Sequence, residues 1–228
     1  MESSQKHKKI GIIVGLEREK KLVPKCSNIF VEKGYGKKAY NASKKVLKKK
    51  VDVLISFGLA KSINTEIKNS NIVIPTKVFN ERGEGFNTSK YYNKILKKKI
   101  TQKIWNNNLL SVSKILKKNE NHHDNNIGIV DMESFFIHKA AFENKIACTT
   151  VRVIFDDTKL EIPSYILDSL DKDGEVKPFH LIKKIISNPY RIQKLLILAI
   201  NYYKSKLTLK RVLKTINAKA KPFFHEPH

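Results

Sequence analysis

Short apolar runs that end on glycine restrict the fold of this chain more than any other feature. Residues 10–14 read Ile-Gly-Ile-Ile-Val and end at Gly15, and residues 51–57 read Val-Asp-Val-Leu-Ile-Ser-Phe and end at Gly58. Nearly continuous apolar runs of this length are typical of strands that are buried on both faces of a parallel sheet. We therefore expect at least two such strands near the amino terminus.

The most regular stretch comes later in the chain. Residues 127–130 predict a strand, residues 131–144 a helix, and residues 147–155 a second strand that is rich in β-branched side chains. Strands that alternate with helices predict an α/β fold with a mostly parallel sheet. In such sheets, ligands bind at the carboxyl ends of the strands.

Carboxylates follow three of the predicted strands. Glu19 follows the first, Asp131 and Glu133 follow the strand at 127–130, and Asp156 follows the last. Carboxylates that meet at one sheet edge suit acid–base chemistry or the binding of hydroxyl groups. The same residues are as compatible with surface or capping roles, since Asp131 begins a predicted helix. Spacing alone leaves both interpretations open.

The formal net charge of +24 raises the question of a nucleic-acid partner. Most of the excess is lysine, spread along the whole chain beside many Asn and Ile residues, which is typical of a compositional habit. No RNA-binding motif accompanies the charge, so a nucleic-acid-binding protein is an unfavoured alternative. Residues 178–217 are a local exception, because they hold nine Lys or Arg and no acidic residue.

A long helix is predicted from about residue 190 to residue 216, with apolar residues at steps of three and four that favour one apolar face. An amphipathic basic helix suits an anionic bilayer surface. It suits equally well a face that covers the sheet or a partner subunit. A non-catalytic module at a membrane surface is therefore a further alternative to an enzyme.

No residue pattern points to a metal or an organic cofactor. The His-His-Asp run at 122–124 lacks a third ligand at a recognisable spacing, so we interpret it as a solvated loop. Cys26 and Cys148 form no disulfide framework, which fits a reducing cytosol. Residues 1–9 lack a secretory apolar core, and the run at 195–200 is too short to span a bilayer. We expect a cytoplasmic protein.

Four motifs resemble those of the nucleoside phosphorylase and nucleosidase superfamily, in the same order. Residues 10–19, Ile-Gly-Ile-Ile-Val-Gly-Leu-Glu-Arg-Glu, look like the opening of bacterial nucleosidases for methylthioadenosine and S-adenosylhomocysteine. Residues 55–60, Ile-Ser-Phe-Gly-Leu-Ala, resemble the superfamily's strand and glycine turn. Residues 130–134, Val-Asp-Met-Glu-Ser, resemble its ribose-binding motif, and residues 151–156, Val-Arg-Val-Ile-Phe-Asp, the motif of its catalytic aspartate.

Within the superfamily, the chain is most similar to the hopanoid-associated phosphorylases, including the Asp-Gly-Glu-Val run at 173–176 and the Ile-Ser-Asn-Pro run at 186–189. The resemblance implies a three-layer α/β/α fold around a mixed, mostly parallel sheet. It implies a catalytic domain over residues 1–177 and a helical extension over residues 178–228. It further implies release of adenine from adenosylhopane, a lipid. The alternative is a nucleosidase for methylthioadenosine or S-adenosylhomocysteine, or another purine nucleoside phosphorylase.

The resemblance also implies roles for individual residues. Asp156 matches the general acid that serves N7 of the purine, and Glu19 matches the carboxylate that orients the attacking water. Glu133 matches the residue that holds the ribose hydroxyls, and Met132 the residue that packs on the sugar. The other implied substrate-binding positions are Asp131, Gly58, Ala60 and Gly15. Phosphate is the alternative nucleophile, no metal is implied, and the superfamily forms homo-oligomers.

Two departures from the family pattern affect the predicted site. Lys61 and Ser62 stand where the family has two glycines after the turn at Gly58, and Phe155 stands where it commonly has serine. A lysine in place of glycine narrows the approach to the backbone or offers a charge to the substrate. These changes leave a different substrate, or a lost activity, as open alternatives.

Overall fold

A computed structural model describes residues 8–114, 126–156, 163–188 and 190–217. Its strands are β1 (Ile10–Val14), β2 (Ile29–Lys33), β3 (Val53–Ser62), β4 (Ile72–Val73), β5 (Lys77–Asn80), β6 (Gly85–Asn87), β7 (Ile104–Trp105), β8 (Asn108–Ser111), β9 (Ile127–Asp131) and β10 (Ala147–Asp156). Its helices are α1 (Glu17–Lys20), α2 (Lys38–Leu47), α3 (Lys90–Lys99), α4 (Ser134–Glu143), α5 (Ser164–Leu167), α6 (Pro178–Ile186) and α7 (Arg191–Asn217). The 122–124 run lies outside the described residues.

The strands form one mixed sheet in which parallel pairs predominate. Its main path runs β6-β5-β8-β9-β3-β10-β4-β7, and β1 pairs with both β2 and β3. The pairs β1–β2, β1–β3, β3–β10, β5–β8, β8–β9 and β4–β7 are parallel, while β3–β9, β10–β4 and β5–β6 are antiparallel. The two long strands β3 and β10 therefore lie side by side at the centre of the sheet.

Helices cover both faces of this sheet. Along β1, Ile12 packs in the cluster that includes α3 and α7, whereas its neighbour Ile13 packs in the cluster that includes α2 and α4. Successive side chains of a strand point to opposite faces, so the apolar run of β1 fills both layers of the core. The prediction of a three-layer α/β/α fold with a mostly parallel, mixed sheet is confirmed.

The second half of α7 is part of the main core. Leu209, Val212, Leu213 and Ile216 are buried in the same cluster as the central strands. The Ser205 hydroxyl is also buried and donates to the Ile154 carbonyl over 2.8 Å. The carboxyl-terminal helix is thus fastened to the end of β10, and its last turns pack as an integral part of the fold.

The first half of α7 leaves large apolar side chains exposed. Leu196, Ile200 and Tyr203 are each more than half exposed, while Leu195 and Ala199 line a cavity beneath the helix. The apolar residues of α7 therefore lie on two sides of the helix, and the prediction of one apolar face is wrong. Within the described residues, no helix combines the length and the apolar character that crossing a bilayer requires.

Candidate active site

A cavity of about 370 Å³ opens where β1, β9 and β10 end and beside the middle of β3. It lies at the sheet edge where the α/β rule places ligands. All eight predicted site positions line it: Gly15, Glu19, Gly58, Ala60, Asp131, Met132, Glu133 and Asp156. The topology thus brings together residues that are up to 141 positions apart in the chain (156 − 15). Their chemical roles stay predictions.

The short helix α1 turns the Glu19 carboxylate back towards the sheet. Its Oε2 accepts from the backbone N–H groups of Gly15 and Leu16, both over 3.0 Å, and its Oε1 accepts from the N–H of Leu59 over 2.9 Å. Burial raises the pKa of Glu19, and these backbone donors oppose the rise. A buried carboxylate with a raised pKa is suited to accept a proton near neutral pH.

Gly58 lies too close to this carboxylate for a side chain. A Cβ at Gly58 would lie 2.9 Å from Glu19 Oε1 and 3.2 Å from Arg152 Nη1. Both contacts are shorter than carbon normally makes with these atoms, so a larger residue would displace the carboxylate or the guanidinium. Gly58 lies inside β3, where the sequence predicted a turn, and the need for glycine there is explained by the close approach of Glu19 and Arg152.

The second carboxylate, Glu133, directly precedes helix α4 and lines the same cavity as Glu19. Its Oε1 accepts from the backbone N–H of Gly36 over 3.1 Å, and its Oε2 lies 3.9 Å from Arg152 Nη2. Burial, reinforced by the neighbouring Asp131 charge, raises the pKa of Glu133 to about 8. Glu133 therefore holds a proton over part of the neutral pH range, which lets its carboxyl donate as well as accept hydrogen bonds.

Asp131 has a different environment from the other predicted carboxylates. Its Oδ1 accepts from the Ser111 hydroxyl over 2.6 Å and from the backbone N–H of Ser134 over 3.2 Å. Its Oδ2 accepts from Arg152 Nε over 2.8 Å. The capping interpretation from the sequence fits these contacts, because the carboxylate meets the start of α4. Asp131 also holds the guanidinium of Arg152.

Arg152 also belongs to the site, although the sequence did not single it out as a site residue. It is 1% exposed, and its Nη2 donates to the hydroxyls of Ser56 and Ser134 over 2.9 Å and 3.0 Å. Its Nη1 is buried, lines the cavity beside Gly58 and has no hydrogen-bond partner among the described residues. A buried donor without a partner is costly, so this N–H group is placed to meet a ligand or a water.

The last predicted residue, Asp156, stands opposite Lys61. The register between β10 and β3 shifts between Ile154 and Asp156, so that Asp156 pairs directly with Lys61. Lys61 Nζ lies 2.9 Å from Asp156 Oδ2, and the aspartate side chain is 3% exposed. Because of this irregularity at Phe155, the Asp156 side chain points into the cavity, which the regular alternation of side chains along β10 would not produce.

An apolar wall closes the remaining side of the cavity. It consists of Ile166 and Leu167 from α5, Leu170 and Val176 from the turn that follows, Leu181 from α6, and Leu195, Leu198, Ala199 and Tyr202 from α7. Phe155 joins this wall, with its ring nearly perpendicular to the Tyr202 ring and 6.0 Å between the ring centroids. The departure from serine at this position thus continues an apolar surface that the carboxyl-terminal helices begin.

The fold matches solved structures over two thirds of the chain or more. Futalosine hydrolase of Helicobacter pylori aligns with a TM-score of 0.68 and 14% identity, covering 95% of this chain and 100% of that one. A 5′-methylthioadenosine/S-adenosylhomocysteine nucleosidase from Colwellia psychrerythraea, in complex with adenine, gives 0.61 and 16%, covering 91% and 96%. The same enzyme from Neisseria meningitidis gives 0.61 and 16%, covering 67% and 88%. The chain therefore shares the fold of these solved enzymes.

No protein-family model and no curated protein matches the chain. The nucleosidase fold is nonetheless consistent with the motif order in the sequence, because each motif ends at the cavity. Among the described residues, no group of three His, Cys, Asp or Glu side chains is close enough to hold a metal ion. The charged side chains that line the cavity are instead four carboxylates, the two arginines Arg18 and Arg152, and Lys61.

Proposed function

We propose that this protein cleaves the N-glycosidic bond of a purine nucleoside. The observation that carries the proposal is the meeting of Glu19, Glu133, Arg152 and Asp156 in one cavity at the carboxyl edge of a nucleosidase-like sheet. Breaking this bond leaves positive charge on the ribose and negative charge on the departing base. A site for this reaction therefore needs carboxylates near the sugar and a donor near the base.

In the hydrolytic form of the reaction, the electron pair of the C1′–N9 bond passes to the purine, which takes up a proton. A water oxygen bonds to C1′ and gives a proton to the buried Glu19 carboxylate, whose raised pKa suits that role. Glu133 holds the ribose hydroxyls, and the unpartnered Arg152 Nη1 holds the nucleophile. In the phosphorolytic form, a phosphate oxygen replaces the water, and the same guanidinium neutralises its charge.

For the group on the ribose 5′ carbon, we propose an apolar substituent, with adenosylhopane as the leading candidate. The support is the apolar wall built by α5, α6 and α7, which lines the cavity opposite the polar residues. Apolar pockets bind apolar groups by removing their surface from water. Methylthioadenosine has a small apolar 5′ group, which would contact a shorter part of the same apolar wall.

One cationic side chain of the cavity, Arg18, favours the second candidate, S-adenosylhomocysteine. The Arg18 guanidinium lies 5.0 Å from the centre of the Tyr202 ring and lines the same cavity, and its Nε is buried without a hydrogen-bond partner in the described chain. A carboxylate on the 5′ substituent would pair with this guanidinium. A hopanoid side chain has no such group.

Adenine release decides among these substrates. The purified protein is incubated with adenosylhopane, methylthioadenosine or S-adenosylhomocysteine, each with and without phosphate, and free adenine is measured. Adenine release from the lipid alone supports the hopanoid proposal. If that release requires added phosphate, phosphate is the nucleophile. Preferential release from S-adenosylhomocysteine that Arg18→Met abolishes supports the second candidate. No adenine from any of the three contradicts the proposed function.

We further propose that the face formed by α6 and the first half of α7 contacts an anionic membrane surface. The support is the combination of exposed apolar side chains, including Phe179, Ile186 and Leu196, with nine Lys or Arg and no acid over residues 178–217. Apolar residues enter the interface while lysines meet anionic headgroups. Homo-oligomer formation stays an expectation from the resemblance.

A further inference from the structure

Lys61 is the one cationic side chain that the strand register sets directly against a predicted catalytic carboxylate in the described chain. Asp156 and Lys61 are direct partners on the parallel strands β10 and β3, after the register shift that follows Ile154. The Nζ–Oδ2 distance is 2.9 Å, the lysine side chain is 18% exposed, and both residues line the cavity. The ammonium group is thus largely withdrawn from solvent and faces the same space as the carboxylate.

The Lys61–Asp156 ion pair bears on which of the two side chains can donate a proton. An ammonium group 2.9 Å from a carboxylate oxygen stabilises the ionised form of the carboxylate by charge attraction. A carboxylate in such a pair carries no proton to give. The ammonium carries three N–H donors, so its ion pair with Asp156 leaves donors for a ligand in the cavity.

We propose that Lys61 is a catalytic residue whose ammonium group, held in place by Asp156, delivers the proton to the departing purine. The proposal rests on the proposed function and refines it. As the C1′–N9 bond breaks, its electron pair passes to the base, and N7 takes a proton from Lys61 Nζ. The lysine becomes a neutral amine and recovers a proton from water after the base leaves. Asp156 positions Nζ and remains a carboxylate throughout.

The competing interpretation of Lys61 gives the opposite expectation. If the side chain only fills the space that glycine leaves open in related sequences, its removal widens the pocket and speeds the reaction. If Lys61 supplies the proton, its removal costs the contribution of a general acid, about 10²- to 10⁴-fold in rate. Substitution of Lys61 therefore separates the two interpretations, because one predicts a faster reaction and the other predicts a slower one.

The experiment compares two leaving groups in the full-length protein. Wild type, Lys61→Met and Lys61→Gly are assayed on an adenine nucleoside that wild type cleaves and on a 4-nitrophenyl riboside with the same 5′ group. Nitrophenolate departs without a proton, whereas adenine needs one. We expect both variants to lose at least about 100-fold in kcat on the nucleoside. On the nitrophenyl compound, we expect them to stay within about threefold of wild type, because no proton is needed.

Lys98→Met on the exposed side of α3 is the matched control and should equal wild type on both compounds. Equal losses on the two compounds would overturn the proposal, because they would mean that Lys61 only shapes or stabilises the site. Unchanged or faster cleavage of the nucleoside by Lys61→Gly would overturn it as well. If wild type releases no base from any nucleoside, the proposed function itself has failed, and this result is distinct from a loss confined to the Lys61 variants.

Discussion

At the scale of single residues, the buried carboxylates around Arg152 outnumber its one positive charge. Arg152 is fully buried, and its positive charge is shared among Asp131 at 2.6 Å, Glu133 at 3.9 Å and, at longer range, Glu19. Three carboxylates around one guanidinium leave a negative excess, and burial makes that excess unfavourable. Burial raises the pKa of both Glu19 and Glu133, and at Glu133 the neighbouring Asp131 charge adds to the rise.

The raised pKa of Glu133 makes a prediction about stability. The folded pKa is about 8, against about 4.3 in an unfolded chain, so the folded state binds the extra proton between these values. The Glu133 contribution is therefore fully present below about pH 4 and is lost as the pH rises towards about 8. In urea unfolding at several pH values, the free energy of unfolding of Glu133→Gln should fall less steeply with pH than that of wild type. Parallel profiles would contradict the burial argument.

At the scale of elements, the strands were predictable because their apolar runs are nearly continuous. The runs at 10–14, 127–130 and 147–155 correspond to β1, β9 and β10 within one residue at each end. The helix predicted from 131 begins only at Ser134, since Asp131 ends β9 and its carboxylate caps the turn instead. Local pattern thus predicts the elements well and their first turns less well.

The candidate site was predictable from the sequence only for residues that lie inside the four motifs. Arg152 stands inside one of them, and a charged residue in an otherwise apolar strand was the signal that marks it. Its partners Ser56, Asp131 and Ser134 lie on three other segments, and a single sequence does not reveal such contacts. The Lys61–Asp156 pair depends on a one-residue register shift, which has no local signature.

Helix α7 was predicted as one element but contains two environments. Leu209 is 1% exposed in the main core, whereas Leu196 is 57% exposed on the same helix. Leu209→Ala should therefore lower the free energy of unfolding by about 2–5 kcal/mol. Leu196→Ala, the matched control, should change it by no more than about 0.5 kcal/mol. Chemical denaturation of both variants measures the difference, and similar values for the two would mean that the helix does not pack as described.

At the scale of the whole molecule, basic charge and exposed apolar side chains coincide in the segment that contains the α6–α7 face. The exposed apolar residues of α6 and α7 belong to the segment that carries nine basic residues and no acid. Two copies that met through this face would bring like charges together, which opposes self-association there. An anionic lipid surface matches both its charge and its apolar side chains.

Vesicle flotation tests the membrane proposal. The protein should float with vesicles that contain anionic lipid, and binding should weaken with added salt and in purely zwitterionic vesicles. Ile200→Asp, placed on the exposed side of α7, should reduce flotation strongly. Phe142→Asp, at an exposed apolar position on α4, should leave it unchanged. Equal flotation of the two variants would show that the α6–α7 face is not the contact.

The most direct test of the central claim is adenine release by wild type and by Asp156→Asn, measured side by side on a nucleoside with an apolar 5′ group. Asp156 both faces the cavity and holds Lys61, so its conversion to an uncharged amide should reduce release by about 10²-fold or more. Its unfolding midpoint, measured on the same samples, serves to exclude a loss of folding. A folded Asp156→Asn variant that releases adenine as fast as wild type would contradict the assignment of this cavity as the active site.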